Sequence, residues 1–180
     1  MKQKLKFMLL FLMVGLFAVP LLAFAEDGES NSSKQGTIIQ YGENGGLLFS
    51  FPMTLESRLN WSRLPGEYTN FKRSEAILHA PIGAEYGISS CGTYFSLRPS
   101  TNIGSSTVSL PYMGSYIIPP NTYAFYAGRI STDKPYPWST IATRYSPFTA
   151  TITNYAAATP EPSLCTGGGG SITDSFTVSH

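Results

Sequence analysis

Apolar and polar residues alternate with period two over Phe148 to Tyr155, with Phe148, Ala150 and Ile152 on one side and Thr149, Thr151 and Thr153 on the other. The same period recurs over Ile172 to Ser179, where Ile172, Phe176 and Val178 oppose Thr173, Ser175, Thr177 and Ser179. This is the signature of strands with one buried and one wet face. Asp174 falls on the apolar side of the second run, which predicts an inward charge that discourages edge-to-edge pairing. Further strands are expected at Thr37 to Tyr41, Leu47 to Phe51, Thr93 to Leu97, Ser106 to Leu110 and Thr140 to Tyr145, bounded by Gly, Pro and Asn. Asn70 to Ala80 is ambiguous: Asn70 can cap a helix and Phe71, Ile77 and Leu78 can share a face, yet Ala76 to His79 also reads as a strand.

The densest run of strand formers is Ser109 to Ile130, where Pro119-Pro120-Asn121 separates Tyr116-Ile117-Ile118 from Thr122 to Ala127. Proline supplies no ladder donor, so a tight corner is expected there. Strand propensity makes this stretch the expected organiser of the fold. Nine or ten short strands with closely spaced turns, and at most one short helix, predict an all-β protein. The expected form is an antiparallel β-sandwich or a jelly-roll-like double sheet. A parallel sheet would need crossover helices, for which the pattern offers no candidates.

The first residues change the compartment. Lys2, Lys4 and Lys6 precede an apolar run from Phe7 to Leu22, and Ala23-Phe24-Ala25 fits a cleavage site. Residues 1–25 are expected to be a secretory signal peptide, 26–35 a mobile leader free of apolar side chains, and 36–180 a single domain. Secretion to the extracellular space, periplasm or cell surface follows, with no membrane insertion after signal cleavage. Removing the three leader lysines leaves nine Lys and Arg against eleven Asp and Glu, a formal charge of −2. That is too weak for electrostatic attraction to nucleic acid or anionic lipid. Charged residues are 13% of the chain, against roughly a quarter in ordinary soluble domains. Hydroxyls and tyrosines replace them, a surface suited to extracellular contacts.

Export makes a disulfide between Cys91 and Cys165 the simplest assignment, with a free thiol pair or intermolecular bridging as alternatives. No CxxC or histidine cluster suggests a metal site, and no fingerprint suggests a cofactor. His79 is the only histidine before the terminal His180, so a hydrolytic triad has one candidate base. A carboxylate pair drawn from Glu56, Glu67, Glu75, Glu85 and Asp133 is the remaining enzymatic route. The residues with a mechanism for binding are aromatic. Trp61, Trp138, Tyr136 and Tyr112 are placed in or near loops and edges, where flat rings stack on sugars or anchor a protein. The expected function is non-enzymatic: a binding, adhesion or surface-assembly module for extracellular protein or glycan. The alternatives are a carbohydrate-binding module, a small hydrolase, and a filament subunit whose mobile terminus adds a strand to a neighbouring copy.

Overall fold

The computed structural model describes residues 25–64, 66–80, 93–160 and 167–180, with Leu48 and Phe49 described by backbone alone. Residues 1–24 of the proposed signal peptide and both cysteines lie outside the described residues. The strands are β1 (Glu26–Tyr41), β2 (Leu47–Leu64), β3 (Tyr68–His79), β4 (Thr93–Ile103), β5 (Ser106–Leu110), β6 (Gly114–Ile118), β7 (Asn121–Ala124), β8 (Ala127–Ile130), β9 (Tyr136–Tyr145), β10 (Thr149–Pro160) and β11 (Gly167–Ser179). All pairings are antiparallel.

The two stacked sheets of a sandwich or jelly roll are replaced by one main sheet in the order β7-β4-β10-β11-β1-β2-β3-β9, with β8 also on β4. This sheet curls until its edges approach one another, forming a nearly closed barrel. Across the seam, the Tyr123 hydroxyl donates to the Ile141 carbonyl at 2.7 Å, and the Trp138 indole donates to Thr101 Oγ1 at 3.2 Å. A curled sheet buries one face against itself and needs no second layer.

Period two places the core where the sequence put it on β10 and β11. Ala150, Ile152, Ala156, Ile172 and Val178 are buried, while Thr151 and Thr177, and Thr153 and Ser175, pair their hydroxyls on the outside. Two apolar clusters fill the interior, one around Ile38, Leu55, Leu78, Phe95 and Leu97, the other around Leu59, Phe71, Phe148 and Ile152. Buried polar residues accompany them, including Ser57, Ser74, Thr101, Asn154 and Asp174. Ser74 and Thr101 share a 2.9 Å hydrogen bond, and Asn154 Nδ2 donates to Ser57 Oγ at 2.8 Å. Asp174 does point inward, but β11 runs between β10 and β1, so it protects no edge.

Three local readings change. Residues 26–35 are strand, not a mobile leader: they pair continuously with β2 from Glu26↔Arg63 to Gln35↔Thr54. Their inward positions, Gly28, Ser30 and Ser32, hold the segment without apolar bulk. Ser30 Oγ accepts the Trp61 indole N–H at 3.2 Å, and an added Cβ at Gly28 would lie 2.4 Å from the Trp61 ring. Asn70 to His79 lies wholly within β3. Its ladder skips Lys72, and this bulge moves the inward set from Thr69 and Phe71 to Ser74, Ala76 and Leu78, breaking the period that would have revealed a strand. Pro160, Pro162 and four consecutive glycines predict a linker-like loop over Ala156 to Gly170, but Gly167 to Gly170 begin β11. Gly168 has φ +125, and a Cβ there would meet the Ile39 carbonyl at 2.3 Å, so only glycine allows this approach to β1.

Candidate functional site

Ser109 to Ile130 does not organise the barrel; much of it projects from it. β5 and β6 form a separate two-stranded sheet, paired from Ser106↔Ile118 to Leu110↔Gly114. At its tip the Met113 N–H donates to the Leu110 carbonyl at 3.2 Å, with Pro111 and Tyr112 between them. Proline suits the second position of such a turn, but the third needs positive φ and favours glycine or asparagine. Tyr112 occupies it with φ 66 and is fully exposed, at 108%. Leu110, Met113, Tyr116 and Ile117 are exposed with it. No charged residue occurs between Arg98 and Arg129, so the arm is uncharged throughout, with its exposed apolar side chains gathered at Leu110, Tyr112, Met113, Tyr116 and Ile117.

Both feet of this arm are held by one side chain. Arg144 on β9 is only 2% exposed. Its Nε donates to the Gly104 carbonyl at 2.6 Å, just before β5, and its Nη2 to the Pro119 carbonyl at 2.8 Å, just after β6. Nη1 donates to the Thr143 carbonyl at 2.7 Å, and Nη2 also contacts Asn121 Oδ1. Burial lowers its pKa from the usual arginine value, partly offset by Tyr123. The rigid fork of donors meets three carbonyls and an amide where lysine would meet fewer. Arg144 was not among the sequence candidates, although it shares its parity along β9 with Tyr136, Trp138, Thr140 and Ala142 and therefore their inward face.

No family model, curated protein or solved structure matches this chain.

The same parity accounts for the other aromatics. Trp138 packs against the first apolar cluster and Trp61 against the second, each with its indole N–H engaged. The Tyr136 hydroxyl bonds the backbone N–H and carbonyl of Ser131 at 2.9 and 3.3 Å. Of the four proposed ligand-binding aromatics, Tyr112 alone stands free in solvent, and the structure does not bring the four together.

His79 lies between two carboxylates, with Nδ1 2.6 Å from Asp133 Oδ1 and Nε2 3.2 Å from Glu56 Oε2. Glu56 is also paired with Arg58 at 2.6 Å. Desolvation is the largest single influence on His79 and lowers its pKa, but the bonds to Asp133 and Glu56 together outweigh it and raise the value above the ordinary one. Glu56 mirrors this: desolvation raises it, while the bonds from Arg58 and His79 together lower it. When protonated, His79 donates from both nitrogens to the two carboxylates, which makes the group an ionic clasp. Among the described residues no cluster of three or more His, Cys, Asp or Glu is arranged to hold a metal.

The clasp has a pH signature. Because the folded-state pKa of His79 is raised, its contribution to stability is complete below the unfolded value, about 6.5, and is lost as pH rises through the folded value. Its side chain is 43% exposed, so solvent screening limits the effect to roughly 0.3–1 kcal/mol. Urea unfolding of wild type and His79→Gln should diverge at pH 6 and converge by pH 9. Equal stability differences at both pH values would refute the clasp.

Proposed function

We propose that this is a secreted, non-enzymatic binding module whose contact surface is the β5–β6 arm. The observation that carries this reading is Tyr112, an aromatic held fully exposed in a left-handed backbone position that folding alone would give to glycine. The sequence thus accepts both strain and an exposed apolar tip, and exposed apolar surfaces of this kind favour contact with another surface. Adhesion is the expected role.

The rival readings draw less support. Sugar stacking needs open ring faces, whereas Trp61 and Trp138 are packed on the interior clusters. For a hydrolytic carboxyl pair, Glu56 and Asp133 are spent on His79, Glu75 pairs with Arg73, and Glu85 lies outside the described residues. Strand donation by the segment after the signal peptide conflicts with its pairing to β2.

A tip variant separates folding from binding. Tyr112→Gly relieves the positive φ and is expected to leave stability unchanged or raise it by about 1 kcal/mol. Combined with Met113→Ser, it should lose at least tenfold in association across a panel of immobilised matrix proteins, glycans and lipid vesicles to which the wild type binds. A variant that binds every surface as wild type does would place the contact elsewhere.

A further inference from the structure

We infer that the surface met by this arm is a phospholipid bilayer, contacted at its interface by the tip Leu110 to Met113 with Tyr116 and Ile117; this rests on the arm being the contact surface. The arm is an unpartnered apolar element, and its chemistry selects among occupants. A protein partner or a second copy is chosen through complementary charge and shape over a total of about 1,000 Å² or more. The arm offers neither: it is a projecting hairpin of two five-residue strands, with no charged residue from 99 to 128. A bilayer requires no matching shape. It accepts apolar side chains at the acyl boundary and tyrosine rings among the headgroups, the composition found at this tip.

The mode of contact follows from the backbone. β5 and β6 pair with each other and form their own two-stranded sheet, so their outer edges carry ladder groups that hydrocarbon would leave unsatisfied. Only the turn and its adjoining side chains can therefore enter, and the protein rests on the membrane rather than spanning it. Charge points the same way. Across residues 93–132 there is no acidic side chain, and the charges present, Arg98 and Arg129, are basic and exposed. Arg98 lies over the Tyr126 and Tyr155 rings at 5.3 and 5.9 Å, and Arg129 over Tyr94 at 3.7 Å. This stretch carries nothing that repels phosphate headgroups. Because the arm itself is uncharged, association should depend little on salt.

The test is flotation of the exported protein, its intact mass recorded, with vesicles of pure phosphatidylcholine at 0.1 and 0.5 M NaCl. Wild type should float, with less than a twofold change between the two salt concentrations. The Tyr112→Gly, Met113→Ser variant should float at least tenfold less while melting at the wild-type temperature or above. A wild type that does not float, flotation abolished by salt, or a variant that floats as well as wild type would each overturn the bilayer. If wild type fails to float but binds a matrix protein or glycan through the same tip, the arm remains the contact surface and the lipid assignment alone falls. An arm-dependent dimer by light scattering, without flotation, assigns the tip to a second copy instead.

Discussion

Replacing Arg144 with methionine is expected to lower the free energy of unfolding by about 1–3 kcal/mol and to loosen the β5–β6 arm. Methionine nearly matches the length of arginine but donates nothing, so the Gly104 and Pro119 carbonyls and Asn121 Oδ1 lose the partner they share. A fully buried polar group left unpaired costs about 1–3 kcal/mol, but Gly104 is half-buried and Pro119 and Asn121 are exposed, so water replaces part of the lost bonds. Removing a desolvated guanidinium returns part of that cost, which keeps the net below the sum. Arg144→Lys retains the charge without the fork and should fall between the two. Urea unfolding with an unchanged slope gives the stability difference, and hydrogen exchange over residues 106–118 reports the arm. A loss under about 0.5 kcal/mol, with arm exchange unaltered, would show that the guanidinium is dispensable.

Asp174→Asn is expected to stabilise the protein by about 1–2 kcal/mol. Asp174 is 3% exposed and Asn154 fully buried, and the two are direct partners across β10 and β11. Ser32 Oγ donates to Asp174 Oδ1 at 2.8 Å, and Asn154 Nδ2 is committed to Ser57. That leaves Asp174 Oδ2 and Asn154 Oδ1 buried without partners among the described residues. Both are acceptors when the carboxyl is ionised, and neither can satisfy the other. An amide at position 174 supplies the donor that Asn154 Oδ1 lacks and keeps an acceptor for Ser32. Asp174→Leu, in contrast, strands the Ser32 hydroxyl and brings Asn154 Oδ1 no donor, and should destabilise. Thermal and urea unfolding of the two variants gives the signs. If Asp174→Asn destabilises by more than about 1 kcal/mol, the carboxyl has a structural role that its contacts do not explain.

The sequence made the strands legible wherever period two ran unbroken. β10 and β11 emerged with their inward residues correct, Asp174 included, because every second side chain on them meets the interior. Legibility failed where the ladder departs from that period or needs no apolar residue. The bulge at Lys72 shifts parity in β3 and lets Asn70 to Ala80 resemble a helix. Residues 26–35 are held by backbone pairing and serine hydroxyls, which a hydrophobicity pattern does not register. Gly167 to Gly170 reads as slack chain but is close strand contact that excludes Cβ atoms.

The candidate site was half visible. Aromaticity points to Tyr112 but equally to Trp61, Trp138 and Tyr136, whose parity on β2 and β9 turns them inward. Ser109 to Ile130 stood out for strand propensity, which measures fit to a pleated surface and not burial. Pro119-Pro120 divides this run: Ser109 to Ile118 belongs to the exposed two-stranded arm, while Asn121–Ala124 and Ala127–Ile130 pair with β4 at the edge of the barrel sheet. Arg144 carried its own signal, a cation on the inward parity of β9, but its partners at Gly104 and Pro119 are backbone carbonyls, and no side-chain pattern reveals those.

The central claim, that the protein meets its target through the arm, is tested most directly by hydrogen exchange with and without phosphatidylcholine vesicles. Protection confined to residues 106–118, absent in the Tyr112→Gly, Met113→Ser variant, is the predicted result. Protection spread instead over the hydroxyl-rich outer face of β10 and β11, with the arm unchanged, would contradict it.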